Sequence, residues 1–171
     1  LDFAVRVAAA LGYIGLTNLE RVALGLLTDD VTRMLRPLRG RGQILPIMDF
    51  LAGVEASGPT ALNRCLARYA VRSRMPGVAV VLTDLLDAGG YADGLKALLQ
   101  RRFDVFLLHV VSEDELEPGF QGDLTLVDAE GGAAREVSVD RRALERYRER
   151  LAHHFEAAEG FCSRHGIDYL R

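Results

Sequence analysis

The chain has 171 residues, 49% of them hydrophobic, and a formal net charge of −3. That length suits one domain with a sizeable core. The charge is too small to argue for a polyanionic partner or for disorder, and no apolar stretch approaches the ~20 residues that span a bilayer.

Residues 1–16 predict an amphipathic helix with Phe3, Val7, Ala10, Leu11 and Ile14 on its apolar face. The chain opens on Leu1 and in a helix, where an α/β domain usually opens in a strand, so a fragment of a longer protein is expected. No signal peptide is read, and a cytoplasmic location is expected. After a turn at Thr17-Asn18, residues 21–27 and 31–36 read as two strands around the polar turn Thr28-Asp29-Asp30, an antiparallel hairpin. Residues 38–42 form a basic, glycine-punctuated loop. Residues 43–54 predict a helix with Ile44, Ile47, Met48, Leu51 and Ala52 inward, and residues 55–59 break it.

A third helix starts near Thr60, with Leu62, Cys65, Leu66 and Tyr69 inward. Residues 77–83 follow as a strand whose run Val78 to Leu82 is wholly apolar. Such a run predicts a strand covered on both faces, as in parallel α/β sheets. A Gly89-Gly90 break leads to a helix over 91–102, striped with Leu95, Leu98 and Leu99, and then to a second apolar strand over 105–111. Residues 123–128 and 135–139 flank Gly131-Gly132 as a hairpin. Asp140 caps a long helix to about His165, with Leu144, Tyr147, Leu151, Phe155, Ala158 and Cys162 as its stripe. Residues 167–170 close as a short strand. The order calls for one domain built on a mostly parallel sheet with helices on both faces.

Two positions could carry chemistry. Asp84 ends the apolar strand at 77–83, and open α/β sheets bind ligands at the carboxyl ends of such strands. Thr60 follows Gly58-Pro59. Each has a plain structural role as well: Thr60 would cap the next helix, and Asp84 the turn after its strand. Together they are hard oxygen ligands, suited to Mg²⁺ or Mn²⁺ and poorly suited to zinc. Such an ion wants about six oxygens, so other side chains, water or a partner must supply the rest. Asp87 could support the Asp84 loop from behind.

Other groups read as structural. Arg33, Arg36, Arg39 and Arg41 have no interleaved aromatic residue, which favours a solvated loop over a nucleic-acid surface. His153 and His154 are adjacent, about 100° apart on a helix, and cannot chelate one ion as an i, i+4 pair would. Ser57 and Ser73 lack a triad context, and no phosphate-loop signature occurs. Glu113, Asp114, Glu115 and Glu117 read as a capped, solvated turn. Cys65 and Cys162 share no metal or redox spacing, which predicts buried thiols in a reducing compartment.

The segments LDFAVRVAAALGYIGLTNLERVALGLL, LRPLRGRGQ, GPTALNRCLARYA and VVLTDLLD, with GDLTLVDAEGG, VSVD and HGIDYLR in the tail, resemble the von Willebrand factor A-like domain of a bacterial family called domain of unknown function fifty-eight. The resemblance covers essentially the whole chain. It implies a doubly wound, Rossmann-like sheet with a C-terminal hairpin and long helix added, and with the first central strand missing. In such domains a metal-ion-dependent adhesion site combines an Asp-x-Ser-x-Ser loop, a Thr in a Gly-x-Thr loop and an Asp at a strand end. Thr60 and Asp84 fall on the last two positions, and the first element would lie before Leu1. The resemblance therefore implies Mg²⁺ or Mn²⁺ binding in the longer protein and weak or no binding by this chain. A missing central strand would expose two inner sheet edges, which are expected to close on each other or to pair with another chain as a dimer. The resemblance further implies a non-enzymatic interaction domain that works with a MoxR-type AAA+ ATPase, in a parent protein open to membrane anchoring. The alternative is a Rossmann-like, metal-dependent phosphohydrolase using Asp84, disfavoured because the only lysine, Lys96, falls within a helix.

Overall fold

A computed structural model describes residues 1–55, 58, 60–73, 75–119, 122–127 and 134–171. The chain is mixed α/β and divides into two compact units, Leu1–Met75 with Leu86–Arg101, and Pro76–Leu85 with Arg102–Arg171.

The first unit opens with α1 (Asp2–Thr17), followed by the antiparallel hairpin β1 (Arg21–Leu27) and β2 (Val31–Arg39). β2 runs further than the sequence suggests, taking in Leu38 and Arg39, and a single 3-10 turn, Arg41–Gln43, leads into α2 (Ile44–Ala52). Leu16, Ile47, Phe50 and Leu51 form its core, packed against Val22, Leu24, Leu35 and Leu38 of the hairpin. The inward face of α1 is Val5, Ala8, Ala9, Gly12 and Leu16. This corrects the expected stripe: Phe3 and Ile14 are 66% and 54% exposed, and Leu11 lies at the surface with them. The reason is close approach. A Cβ on Gly15 would stand 2.6 Å from Val22 Cγ2, and one on Gly12 would stand 3.2 Å from Ile47 Cδ1. The helix packs through its small residues because they let its backbone come near the hairpin. In α2, Met48 faces out and Phe50 faces in, with the Arg33 guanidinium 4.9 Å above the Phe50 ring.

α3 (Leu62–Arg72) buries Leu62, Cys65, Leu66 and Ala70, leaving Tyr69 half-buried. It is tied to the β1–β2 turn: Ala61 N–H donates to Thr28 O at 2.7 Å, Arg68 pairs with Asp30, and Arg64 donates to Asp29 O. The last helix of this unit, α4 (Ala92–Gln100), lies against α3 at Gly94, where a Cβ would stand 2.9 Å from both Asn63 Cα and Leu66 Cβ.

The second unit holds β3 (Val78–Thr83), β4 (Asp104–His109), the short helix α5 (Glu113–Leu116), the antiparallel hairpin β5 (Gly122–Val127) and β6 (Ala134–Val139), the long α6 (Arg141–His165) and β7 (Asp168–Leu170). The Asp140 side chain accepts from Ala143 N–H at 2.7 Å, as its place before α6 predicts, and left-handed Gly166 ends the helix. Gly131-Gly132, the expected turn of the β5–β6 hairpin, and Asp128 lie outside the described residues.

β3, β4 and β7 form a three-stranded parallel sheet in that order. One face buries Val81, Val105, Leu107 and His109, and Phe155 of α6 meets the His109 ring on this side. The other face is open. Val78 is 64% exposed, and Val80 and its register partner Phe106 are each 38% exposed. The expectation that β3 is covered on both faces is thus corrected. β3 is the edge of its sheet, and its alternate side chains stand on the face away from α6. Among the described residues the strands form three sheets, β1–β2, β3–β4–β7 and β5–β6.

Candidate functional site

Asp84 follows Thr83, the last residue of β3, at the carboxyl end of the parallel sheet, and its side chain is exposed. Its backbone is held from the next strand. The Asp84 carbonyl lies 2.9 Å from Nε2 of His109, and Nδ1 of the same ring lies 2.8 Å from the Tyr169 hydroxyl. A carbonyl can only accept, so Nε2 carries the proton and Nδ1 accepts from Tyr169. His109 is 4% exposed. Burial pushes its imidazole below the usual histidine range, opposed by the bond to the Asp84 carbonyl, with the neighbouring His154 and Arg171 pushing down further and the Asp84 charge pulling up. The ring is therefore neutral near pH 7. Leu85, buried, takes the left-handed conformation with φ 58°, and its N–H donates to Thr83 Oγ1 at 3.1 Å.

His109 and Tyr169 were not among the sequence candidates. Their signal was present: each is a polar residue interrupting an apolar strand near its carboxyl end. Only the register, which sets Thr83 beside His109 and Leu108 beside Leu170, brings them to one edge. His154 presents a buried Nε2 that has no hydrogen-bond partner among the described residues, its ring 5.6 Å from that of His109. His153, its neighbour, is at the surface beside Glu156.

Thr60 and Asp87 belong to the first unit. Thr60 is half-buried, but it is not the cap of α3. The N-cap is Ala61, with no side-chain cap of its own, and the Leu62 N–H donates to Asp87 Oδ2 at 2.6 Å. The other Asp87 oxygen accepts from Gly89 N–H at 2.7 Å. Asp87 thus joins the turn before α4 to the start of α3. Asn63 strengthens the same junction, donating to Gly89 O at 2.6 Å and accepting from Gly94 N–H at 2.7 Å. Ser57 and Pro59 lie outside the described residues.

Among the described residues no group of three or more His, Cys, Asp and Glu side chains is placed to hold a metal ion. Asp84 and Thr60, in different units, each offer the kind of oxygen a hard divalent cation takes. The arginine cluster has structural work: Arg33 Nη1 donates to Gly53 O at 2.7 Å and Arg39 Nε to Leu19 O at 2.6 Å. The acidic run after β4 is a capping box, Ser112 and Glu115 exchanging bonds at the start of α5. Both cysteines are buried, and burial pushes the Cys162 thiol up to about 11. No helix among the described residues is long and apolar enough to cross a membrane.

A family described as "Protein of unknown function DUF58" matches residues 1–157. Uncharacterized proteins of Mycobacterium bovis and Mycobacterium tuberculosis are 30% identical over 144 residues, an alignment that takes in 81% of this chain and 44% of theirs. The chain thus spans less than half the length of the curated relatives it matches. A crystal structure of an aerotolerance-related membrane protein from Bacteroides fragilis, carrying multiple mutations to serines, is similar with a TM-score of 0.53 at 14% identity, over 99% of this chain and 79% of that one. That likeness is one of fold.

Proposed function

The chain belongs to the DUF58 family, and from that premise we propose that it is a non-enzymatic protein-interaction domain of von Willebrand factor A-like, Rossmann-like type. Its binding edge is the carboxyl end of the β3–β4–β7 sheet. The observation that carries the reading is the exposed Asp84 carboxylate at the end of a parallel strand, the position where open α/β sheets bind their ligands. Asp84 offers hard oxygens to Mg²⁺ or Mn²⁺. Such an ion would supply positive charge at the edge, and its open positions would take water and an acidic side chain of the partner. The partner is a MoxR-type AAA+ ATPase. The domain is placed in the cytoplasm, in a parent open to membrane anchoring, in keeping with the fold likeness to a protein described as an aerotolerance-related membrane protein.

The alternative is a phosphohydrolase on the same edge using Asp84; the single lysine, Lys96, stands in the middle of α4.

The test is binding of the parent protein to the ATPase in the presence of Mg²⁺, with chelator and with Asp84→Ala. The reading expects binding that both treatments abolish. Binding that survives both would exclude the cation mechanism.

A further inference from the structure

We propose that His109 and Tyr169 are positioning residues for Asp84, fixing the direction in which the strand-end carboxylate is presented and making that direction depend on the seating of the last strand, β7. The inference rests on the reading of Asp84 as a ligand.

One peptide plane fixes the geometry. The Asp84–Leu85 peptide has a carbonyl and an N–H, and each is held. The carbonyl accepts from His109 Nε2 at 2.9 Å, and the N–H donates to Thr83 Oγ1 at 3.1 Å. A peptide group is planar, so bonding both of its ends fixes the ψ of Asp84 and the φ of Leu85 together. The result is a left-handed Leu85 at φ 58°, a conformation a non-glycine residue holds only where its surroundings impose it. Leu85 buries its side chain inward while the Asp84 side chain remains outside. The backbone of Asp84 is thus fixed on both sides, by the β3 ladder before it and the held peptide after it.

The clamp reaches across the whole sheet. Asp84 follows β3, His109 ends β4, and Tyr169 lies in β7, so one chain of hydrogen bonds joins all three parallel strands at their carboxyl edge. Tyr169 has a specific role in it. By donating to Nδ1 it makes that nitrogen the acceptor and leaves the ring hydrogen on Nε2, where the Asp84 carbonyl needs it. An imidazole with the other tautomer would set lone pair against lone pair. Stability alone would be served by an apolar side chain in a site this buried. A paired histidine there selects one backbone geometry, which suits a ligand that must be ready before its cation arrives.

The experiment uses the full chain with His109→Leu, His109→Gln and Tyr169→Phe, histidine ¹⁵N spectra, amide exchange, and Mn²⁺ as the probe. The wild type is expected to carry the His109 proton on Nε2, and Tyr169→Phe to shift population toward the Nδ1–H form. The Leu85 amide should exchange faster in His109→Leu and Tyr169→Phe while the Leu107 amide keeps its rate. His109→Gln, which keeps a donor near the Nε2 position, should hold Leu85 close to wild type. In the longer parent protein, Mn²⁺ affinity should fall about tenfold in His109→Leu, the scale on which groups that orient a ligand act. A wild-type proton on Nδ1, or a Leu85 amide indifferent to all three substitutions, overturns the clamp. An Mn²⁺ affinity unmoved by Asp84→Ala overturns the ligand reading alone, and the Leu85 rates still decide the clamp. Should His109→Leu fail to fold, Tyr169→Phe, which removes one oxygen atom, decides by the tautomer and the Leu85 rate.

Discussion

The Asp87 carboxylate accepts the N–H of Leu62 at 2.6 Å and so caps α3 from a loop on the far side of β3 in the sequence. The residue at the helix start that could have capped it, Thr60, does not. An N-cap carboxylate satisfies an amide that has no partner within the helix and meets the positive end of the helix dipole. Asp87→Ala should therefore cost about 1–2 kcal/mol of stability, read as a lower urea midpoint, whereas Thr60→Ala should move it by less than about 0.5 kcal/mol. Equal losses from the two substitutions would return the capping role to Thr60.

What could be read from the chain depended on how local its cause was. The β1–β2 hairpin and the Asp140 cap are set by residues within a few positions of each other, and each lies where the sequence places it; the capped turn read at the acidic run is a capping box of Ser112 and Glu115. The cap of α3 has its partner 25 residues away, and no spacing rule reaches that far. The His109–Asp84 bond is hidden for the same reason, since it depends on parallel register rather than on neighbouring residues.

α1 shows a second kind of misreading, because apolar periodicity marks where large side chains fall and not which face is inward. Phe3, Leu11 and Ile14 are at the surface, while Ala8, Ala9 and Gly12 face the core and the glycine at 15 meets Val22 of the hairpin. Gly15→Ala is accordingly expected to destabilise by about 1–3 kcal/mol through overpacking against Val22, against the ~1 kcal/mol that alanine gains over glycine in a helix. Ile14→Gln should stay within about 0.5 kcal/mol of wild type. Thermal melts of the two variants separate the alternatives: a stabilised Gly15→Ala would mean that the helix is free to move away.

The two faces of the parallel sheet should respond differently to substitution. Leu107, fully buried on the α6 side, should lose about 2–5 kcal/mol on replacement by alanine, the transfer and cavity cost of a core leucine. Val80, on the open face of the neighbouring strand, should tolerate threonine within about 0.5 kcal/mol. A large loss at Val80 in urea unfolding would indicate that its face is covered in solution.

His109 gives the protein a pH dependence whose sign follows from its burial. Its folded-state value lies below the ordinary histidine range, because desolvation by burial penalises the charged ring more than the Asp84 carbonyl bond and charge favour it, with His154 and Arg171 adding to the penalty. Above the unfolded value, about 6.5, both states hold a neutral ring and the stabilisation is complete. As pH falls through that value the unfolded chain takes up a proton that the folded chain refuses. The unfolded state then binds more protons, so stability falls with falling pH until the lower, folded value is reached. Wild type should therefore lose more stability than His109→Gln between pH 7 and the acid side of ~6, measured as urea midpoints at matched ionic strength. The difference isolates the ring, since carboxylates elsewhere titrate alike in both proteins. Parallel profiles would mean that the histidine is as easily protonated in the folded chain as in the unfolded one, and that its site is wetter than its 4% exposure implies.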